Sequence, residues 1–118
     1  MQRVLVTAGA SGIGYALAEA FYAEGYKVWI IDVSENDLKK CPTNWEQTKL
    51  DVSDENAMGD LFSTINIKWG GLDVLCANAG TAGATELIED QDLLAFRKCL
   101  DVNLIGAFLS VKGCLPMM

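Results

Sequence analysis

The chain of 118 residues contains no histidine and only two prolines. Without histidine, the side chain that most often serves as a general acid or base near neutral pH is missing. Basic residues are also few, since nine Lys and Arg stand against 16 Asp and Glu, for a formal net charge of −7. This balance argues against nucleic-acid binding, which needs a basic face, so we expect no nucleic-acid partner.

Long apolar runs and paired cysteine motifs are absent as well. No uninterrupted apolar run approaches the roughly 18–20 residues of a membrane span, which predicts no membrane partner. A strand pattern begins within three residues of Met1, so we expect no signal peptide. Cys41, Cys76, Cys99 and Cys114 show neither CxxC nor metal-ligand spacing, which predicts free thiols, no metal site and a cytoplasmic location.

Hydrophobic residues make up 51% of the chain, enough for the core of one small domain. Strand patterns and helix patterns alternate, which predicts an α/β fold with a parallel sheet and right-handed crossovers. The predicted strands cover residues 3–7, 27–32, 45–50 and 72–77. The predicted helices cover residues 11–23, 34–40, 53–68 and 90–114, with Ser34 and Ser53 as N-caps of the second and third.

The most informative stretch is residues 7–14, Thr-Ala-Gly-Ala-Ser-Gly-Ile-Gly, between the first predicted strand and helix. The first N–H groups of a helix have no partner inside it, and the helix dipole adds positive charge there. Glycines let a pyrophosphate approach the backbone closely. The pattern predicts a pyrophosphate site, and the alternative is a tight turn without a ligand. The predicted site residues are Gly9, Ser11, Gly12, Ile13 and Gly14.

An acidic residue, Asp32, ends the second predicted strand, 18 positions after Gly14. A carboxylate at this place accepts both ribose hydroxyls of an adenosine and repels a 2′-phosphate. Val33 and Ser34 add no positive charge, and the turn holds no Arg or Lys. These residues predict that NAD is preferred over NADP. The alternative is that Asp32 is a solvated acid near a helix start.

Four segments resemble, in order, the N-terminal half of a classical short-chain dehydrogenase/reductase. The turn is similar to the TGxxxGxG motif, and Asp51-Val52 is similar to the pair that contacts adenine. Asn78-Ala79-Gly80 is similar to the NNAG segment, and Asp101-Val102-Asn103 is similar to the segment with the active-site Asn. The resemblance implies a Rossmann-type three-layer fold that binds NAD. It assigns cofactor contacts to Asp51, Val52, Asn78, Ala79 and Gly80 and a catalytic role to Asn103.

Two residues depart from the motifs of that family. Ala8 stands where the turn has its first glycine, and we expect the turn to persist if the backbone there needs no positive φ. Ala77 replaces the first Asn of NNAG and removes one hydrogen-bonding side chain.

The resemblance also implies that the catalytic Ser and the Tyr-x-x-x-Lys pair lie beyond the point that matches Met118. Tyr15, Tyr22 and Tyr26 are the three tyrosines, and none has a Lys four positions later. We therefore expect residues 1–118 to be a partial NAD-binding domain that lacks the catalytic half. The family exchanges hydride between NAD and a secondary alcohol or ketone, a small-molecule substrate. This chain alone is expected to be inactive, and the alternatives are a non-catalytic nucleotide-binding module and a self-associating fragment.

The sheet order of the family is 3-2-1-4-5-6-7, of which this chain would supply 3-2-1-4. The fourth strand then becomes an apolar edge, which invites pairing with another chain. The long helix is apolar around much of its circumference, as a helix buried on two sides is. We expect a homo-oligomer formed through the fourth strand and the 90–115 helix. The alternative is that the helix covers the edge and the fold closes alone.

Overall fold

The computed structural model describes all residues from Met1 to Met118. Four parallel strands form one sheet in the order β3-β2-β1-β4, as predicted. The third and fourth strands are shorter than the sequence pattern predicts. The strands are β1 (Arg3–Thr7), β2 (Lys27–Asp32), β3 (Glu46–Lys49) and β4 (Val74–Cys76).

Five α-helices connect and cover the strands. They are α1 (Gly12–Ala23), α2 (Glu35–Lys39), α3 (Glu55–Trp69), α4 (Leu93–Leu100) and α5 (Gly106–Cys114). Ser34 caps α2 as predicted, because its hydroxyl accepts a hydrogen bond from the Asp37 N–H at 3.2 Å. The predicted N-cap Ser53 is wrong, since Asp54 caps α3 through the Ala57 N–H at 3.0 Å.

Two hydrophobic clusters sandwich the sheet, because neighbouring residues of a strand point to opposite faces. On one face, Leu5, Trp29 and Ile31 pack against α3 and α5. On the other face, Val4, Val6, Val28 and Ile30 pack against α1 and the α2 segment. The result is the three-layer, Rossmann-like α/β arrangement that the sequence predicts. We name the first of these layers the α3–α5 face and the second the α1–α2 face.

The last helical segment begins later than predicted and is not uniform. Helix α4 starts at Leu93, where the Asp92 carboxylate accepts a hydrogen bond from the Ala95 N–H at 3.1 Å. Residues Ile88–Asp90 form a separate 3₁₀ turn. A π-helical stretch, Asp101–Ile105, joins α4 to α5. Such wide turns cost backbone hydrogen bonds and concentrate at functional positions.

Taken together, Leu93–Met117 is a 25-residue helix that is long and apolar enough to cross a membrane. This finding corrects the expectation that no segment reaches that size. Charged residues such as Lys98 and Asp101 interrupt the apolar sequence, which is why no continuous run is visible. A helix covered by other protein has the same composition, so length alone assigns no membrane. Large apolar side chains exposed on it include Leu93, Leu94, Phe96, Leu100, Leu104, Phe108 and Leu115.

Candidate cofactor-binding site

The turn between β1 and α1 contains two residues in left-handed backbone conformations, Ala8 with φ 52° and Gly12 with φ 56°. Ala8 is the one residue other than glycine with a positive φ in the chain. This corrects the expectation that the turn would persist only without a positive φ at Ala8. The conformation costs an L-residue roughly 1–2 kcal/mol. The surrounding hydrogen bonds therefore hold Ala8 in a strained state.

Gly9 and Gly14 are required by close approach rather than by φ. A Cβ atom added to Gly14 would collide with the carbonyl oxygen of Ala8 and lie 2.7 Å from the Asn78 Nδ2. A Cβ on Gly9 would lie 2.5 Å from the Ile30 Cγ2. These two positions thus bring the start of α1 directly against the ends of the strands. The turn is compact because both side chains are missing.

The N-terminus of α1 is open to solvent. Ser11 is the N-cap residue with an extended backbone, and its side chain makes no capping hydrogen bond. Gly12 is exposed, and Ile13 is 74% exposed although it is a large apolar residue. The first turn carries no acidic residue. The N–H groups and the positive end of the helix dipole therefore face a space in which an anion can bind.

Asp32 lies beside this turn at the end of β2. Its Oδ2 accepts a hydrogen bond from the Ala10 N–H at 3.2 Å, and its Oδ1 accepts one from the Ser34 N–H at 3.0 Å. The half-buried carboxylate is thus fixed at the strand end by two backbone donors. The nearest residue of β3 in register is Lys49, whose Nζ lies 3.9 Å from a carboxylate oxygen of Glu35.

Asn78 connects the end of β4 to the same turn. Its Nδ2 donates hydrogen bonds to the carbonyl oxygens of Thr7 at 3.2 Å and of Ala8 at 3.4 Å. The N–H groups of Asn78 and Ala79 both donate to the Thr7 hydroxyl, each at 2.9 Å. Asn78 therefore reaches the turn carbonyls that Gly14 leaves accessible.

Thr7 is a positioning residue that the sequence analysis missed. Its side chain is buried, and its hydroxyl donates to the Cys76 carbonyl at 3.4 Å while it accepts from two N–H groups. One hydroxyl thus joins the ends of β1 and β4. A hydroxyl residue directly after the apolar run Val4-Leu5-Val6 was the available signal.

A cleft of about 640 Å³ lies next to the turn, on the α3–α5 face. It brings together five of the predicted cofactor residues, namely Asp32, Asp51, Val52, Ala79 and Gly80. Of the remaining predicted residues, Asn78 follows β4, and the others lie in the adjacent turn and at the start of α1: Gly9, Ser11, Gly12, Ile13 and Gly14. Other lining residues, which the sequence analysis did not select as cofactor contacts, include Leu50, Thr81, Ala95, Lys98, Cys99 and Val102.

Asp51 and Val52 line the cleft in different ways. The Asp51 carboxylate accepts hydrogen bonds from the Ser53 N–H at 2.9 Å and from the Ser53 hydroxyl at 2.8 Å. Val52 is buried, and its Cγ2 lies 2.5 Å from the place where Gly106 would carry a Cβ. Because Gly106 has no side chain, α5 can pack directly against Val52.

Asn103 lies in the π-helical stretch and does not itself line the cleft. Its Oδ1 accepts from the Thr81 N–H at 2.7 Å, and its Nδ2 donates to the Thr81 carbonyl at 2.8 Å. The same Nδ2 lies 3.3 Å from the Cys99 sulfur. Asn103 therefore fixes the loop that follows Gly80 to the long helix.

Two cysteine thiols, Cys41 and Cys76, pack on the α1–α2 face, outside the cleft. Burial raises the pKa of the Cys76 thiol, and burial together with the Asp32 and Asp37 carboxylates raises that of Cys41. These thiols are therefore neutral at pH 7 and poor nucleophiles. No three His, Cys, Asp or Glu side chains are grouped so that they could hold a metal ion.

The three tyrosines lie away from the cleft, on the α1–α2 face. Tyr15 packs on Trp45 with ring centroids 5.3 Å apart, and Tyr26 packs on Phe21 at 4.9 Å. Tyr22 is 6.3 Å from Trp45. None of the three lines the cleft, so the sheet separates their hydroxyl groups from it.

Comparison with known proteins agrees with this geometry. The family described as short chain dehydrogenase matches residues 2–118, nearly the whole chain. The chain belongs to the short-chain dehydrogenase family. This family assignment rests on the sequence as a whole and not on the glycine turn alone.

Two curated relatives and one solved structure illustrate the match. The chain is 36% identical to (+)-borneol dehydrogenase 1 of Salvia officinalis, over 97% of this chain and 46% of that protein. It is 34% identical to the short chain dehydrogenase/reductase dpmpG of Macrophomina phaseolina, over 97% of this chain and 70% of that protein. The Thermoplasma acidophilum aldohexose dehydrogenase superposes with a TM-score of 0.90 at 29% identity, covering 99% of this chain and 44% of that one. The chain thus spans about half the length of most of these relatives.

Proposed function

We propose that residues 1–118 hold the adenosine and pyrophosphate part of NAD for a short-chain oxidoreductase. One observation carries the proposal: the open N-terminus of α1 and the Asp32 carboxylate meet at the same turn, through the Ala10–Asp32 hydrogen bond of 3.2 Å. A pyrophosphate fits the first feature and a ribose diol fits the second.

The residues present fit this cofactor sterically as well. The missing Cβ atoms of Gly9 and Gly14 keep the turn close to the strand ends. Gly12 is exposed and leaves room for a phosphate at the start of α1. The apolar cleft walls, which include Val52 and Val102, suit a flat adenine ring. When bound, the nicotinamide ring of the cofactor supplies or accepts the hydride. The chain's own residues bind, orient and shield the nucleotide.

We propose NAD rather than NADP as the cofactor because the Asp32 carboxylate occupies the place of a 2′-phosphate partner. A negative charge there repels a phosphate and accepts ribose hydroxyls. The nearby cation Lys49 is placed beside Glu35, which offsets its charge. NAD preference is therefore a consequence of local charge.

We propose a small secondary alcohol, or the corresponding ketone, as the substrate of the whole enzyme. Support comes from relatives whose names include borneol dehydrogenase and aldohexose dehydrogenase. Within the 118 residues, no tyrosine lines the cleft and no histidine exists, so neither residue type can serve there as a general acid or base. We therefore propose that these residues bind the nucleotide but do not turn over substrate by themselves. Asn103 contributes by holding Thr81, and its catalytic role stays a prediction. The cytoplasmic location of the protein also stays a prediction.

We further propose that the chain associates with itself. β4 is an edge strand, and the Leu93–Met117 helix exposes a row of large apolar side chains. Both are surfaces that proteins usually cover. The second candidate function, a self-associating nucleotide-binding module, rests on this same row.

Calorimetric titration of the 118-residue chain with ADP, NAD and NADP tests the proposed function. We expect ADP and NAD to bind with similar affinity, because the turn and cleft contact the half that they share. NADP should bind at least about tenfold more weakly than NAD, and Asp32→Asn should reduce this difference in affinity. Tighter binding of NADP would contradict the cofactor assignment. Binding of NAD much more tightly than ADP would contradict the division of the site.

A further inference from the structure

Three charged side chains line the candidate cofactor cleft: Asp32, Asp51 and Lys98. The two carboxylates come from the ends of the β2 and β3 segments, and Lys98 comes from α4 on the opposite wall. Lys98 shares its helix face with Ala95 and Val102, which also line the cleft. Lys98 is therefore the one basic residue among those that line the cleft.

The partners of these charges differ. Asp32 and Asp51 both accept hydrogen bonds from nearby N–H groups, as described above. Lys98 takes part in none of the three ion pairs of the chain, and its side chain is exposed. The carboxylates are thus fixed in place, whereas the flexible lysine stem leaves its charge able to move towards a bound anion.

We propose that Lys98 is a specificity-determining residue that sets how strictly the cleft rejects a phosphate on the ribose 2′-oxygen. This inference rests on the proposed function. Asp32 repels such a phosphate, and Lys98 attracts it from the other wall. Because specificity is a difference of affinities, the observed preference reflects both charges. Lys98 therefore weakens the preference for an unphosphorylated ribose that Asp32 creates.

The test compares adenosine 5′-monophosphate with adenosine 2′,5′-bisphosphate by calorimetry on the 118-residue chain. The measured quantity is the ratio of the two dissociation constants, bisphosphate over monophosphate. Lys98→Gln should raise this ratio about three- to tenfold, the effect of one charge several ångströms from a dianion in a wet cleft. Lys98→Glu should raise it further, and Lys98→Arg should leave it within about twofold of wild type.

Arg97 supplies the matched control. It is the neighbouring exposed cation on α4 but does not line the cleft. Arg97→Gln removes the same net charge, so it should leave the ratio nearly unchanged. The whole series is repeated with Asp32→Asn, which admits the bisphosphate and keeps its affinity measurable. The difference in this ratio between Lys98→Gln and Arg97→Gln should shrink as the salt concentration rises from about 0.05 M to about 0.5 M.

Equal ratios for Lys98→Gln and Arg97→Gln would overturn the role of Lys98 while leaving the nucleotide site intact. A fall in the ratio on losing the Lys98 charge would overturn it as well. If wild type binds neither nucleotide, the proposed function itself fails, and this inference falls with it. These outcomes are distinguishable because monophosphate binding is measured in every variant.

Discussion

The side-chain amide of Asn103 pairs with both backbone polar groups of Thr81, at 2.7 Å to the N–H and 2.8 Å to the carbonyl. The two residues are 22 positions apart, so the pair connects the loop after β4 to the π-helical stretch. This loop contributes Gly80 and Thr81 to the cleft lining, so the pair holds that part of the cleft in place.

Replacing Asn103 with Ala should free this loop without unfolding the domain. Loss of two exposed hydrogen bonds should lower hydrogen-exchange protection of the Thr81 amide about tenfold, roughly 1.4 kcal/mol. Asn66→Ala, on the exposed surface of α3, is the control and should leave Thr81 unchanged. Unchanged exchange at Thr81 in Asn103→Ala would show that other contacts hold the loop.

Replacing Ala8 with Gly should stabilise the protein. Ala8 has φ 52°, which glycine adopts without steric cost. Relief of this strain outweighs the extra flexibility of glycine in the unfolded chain, for a net gain of up to about 1 kcal/mol. Urea unfolding measures the change. The control is Ala16→Gly, at an exposed position in the middle of α1, which should destabilise the protein by about 1 kcal/mol. A loss of stability in Ala8→Gly would contradict the proposed strain at Ala8.

The ion pair between Arg3 and Asp73 should make stability fall in acid. A hydrogen bond from the Arg3 side chain holds the pKa of the Asp73 carboxyl below its ordinary value of 3.8. A lowered folded pKa contributes stability that is present above pH 3.8 and is lost as pH falls through the lower folded value. Asp73→Asn should therefore be less stable than wild type at pH 6, and the difference should shrink as pH falls below 3.8.

The same comparison in an Arg3→Gln background isolates the pair. Without the guanidinium, the effect of Asp73→Asn should shrink to the part that the backbone N–H of residue 3 maintains, since that N–H donates to Asp73 Oδ2 at 2.8 Å. An equally large pH-dependent difference in Arg3→Gln would show that the guanidinium does not set the acid sensitivity of Asp73. Unfolding midpoints in urea at each pH provide the measurement.

Charge on the exposed apolar row of the long helix should disrupt self-association. Phe108 is 57% exposed on α5, so Phe108→Lys should shift the mass measured by light scattering towards the monomer. Ile67→Lys is the control, because Ile67 is 86% exposed on α3, outside that row. A monomer in wild type at high concentration would contradict the self-association proposal.

The sequence predicted the parts of the fold that depend on local pattern. The alternation of strands and helices that the hydrophobic pattern predicted is confirmed, and so is the strand order that the family resemblance implied. Cap positions were less certain because Ser53 and Asp54 are both good caps. The structure favours Asp54, since Ser53 is already bonded to Asp51.

The site was predictable where one residue type is required and not where distant segments meet. The spacing of strand, turn and helix selected Gly9, Gly14 and Asp32, and the structure places all three at the turn. The positive φ of Ala8 was not predicted, because alanine rarely adopts a left-handed backbone conformation. The cleft wall on α4, with Lys98 and Cys99, comes from a segment distant in sequence from Asp32, and its position cannot be read from local pattern.

Calorimetric titration of the chain with ADP, in wild type, Gly14→Ala and Gly59→Ala, tests most directly whether the turn binds a diphosphate. A Cβ on Gly14 meets the Ala8 carbonyl, whereas one on Gly59 meets nothing within 4 Å. Circular dichroism first confirms that each variant is folded. We predict saturable binding at one site in wild type and Gly59→Ala, and at least about tenfold weaker binding in Gly14→Ala. No saturable binding in wild type, or equal affinity in all three proteins, would contradict the account.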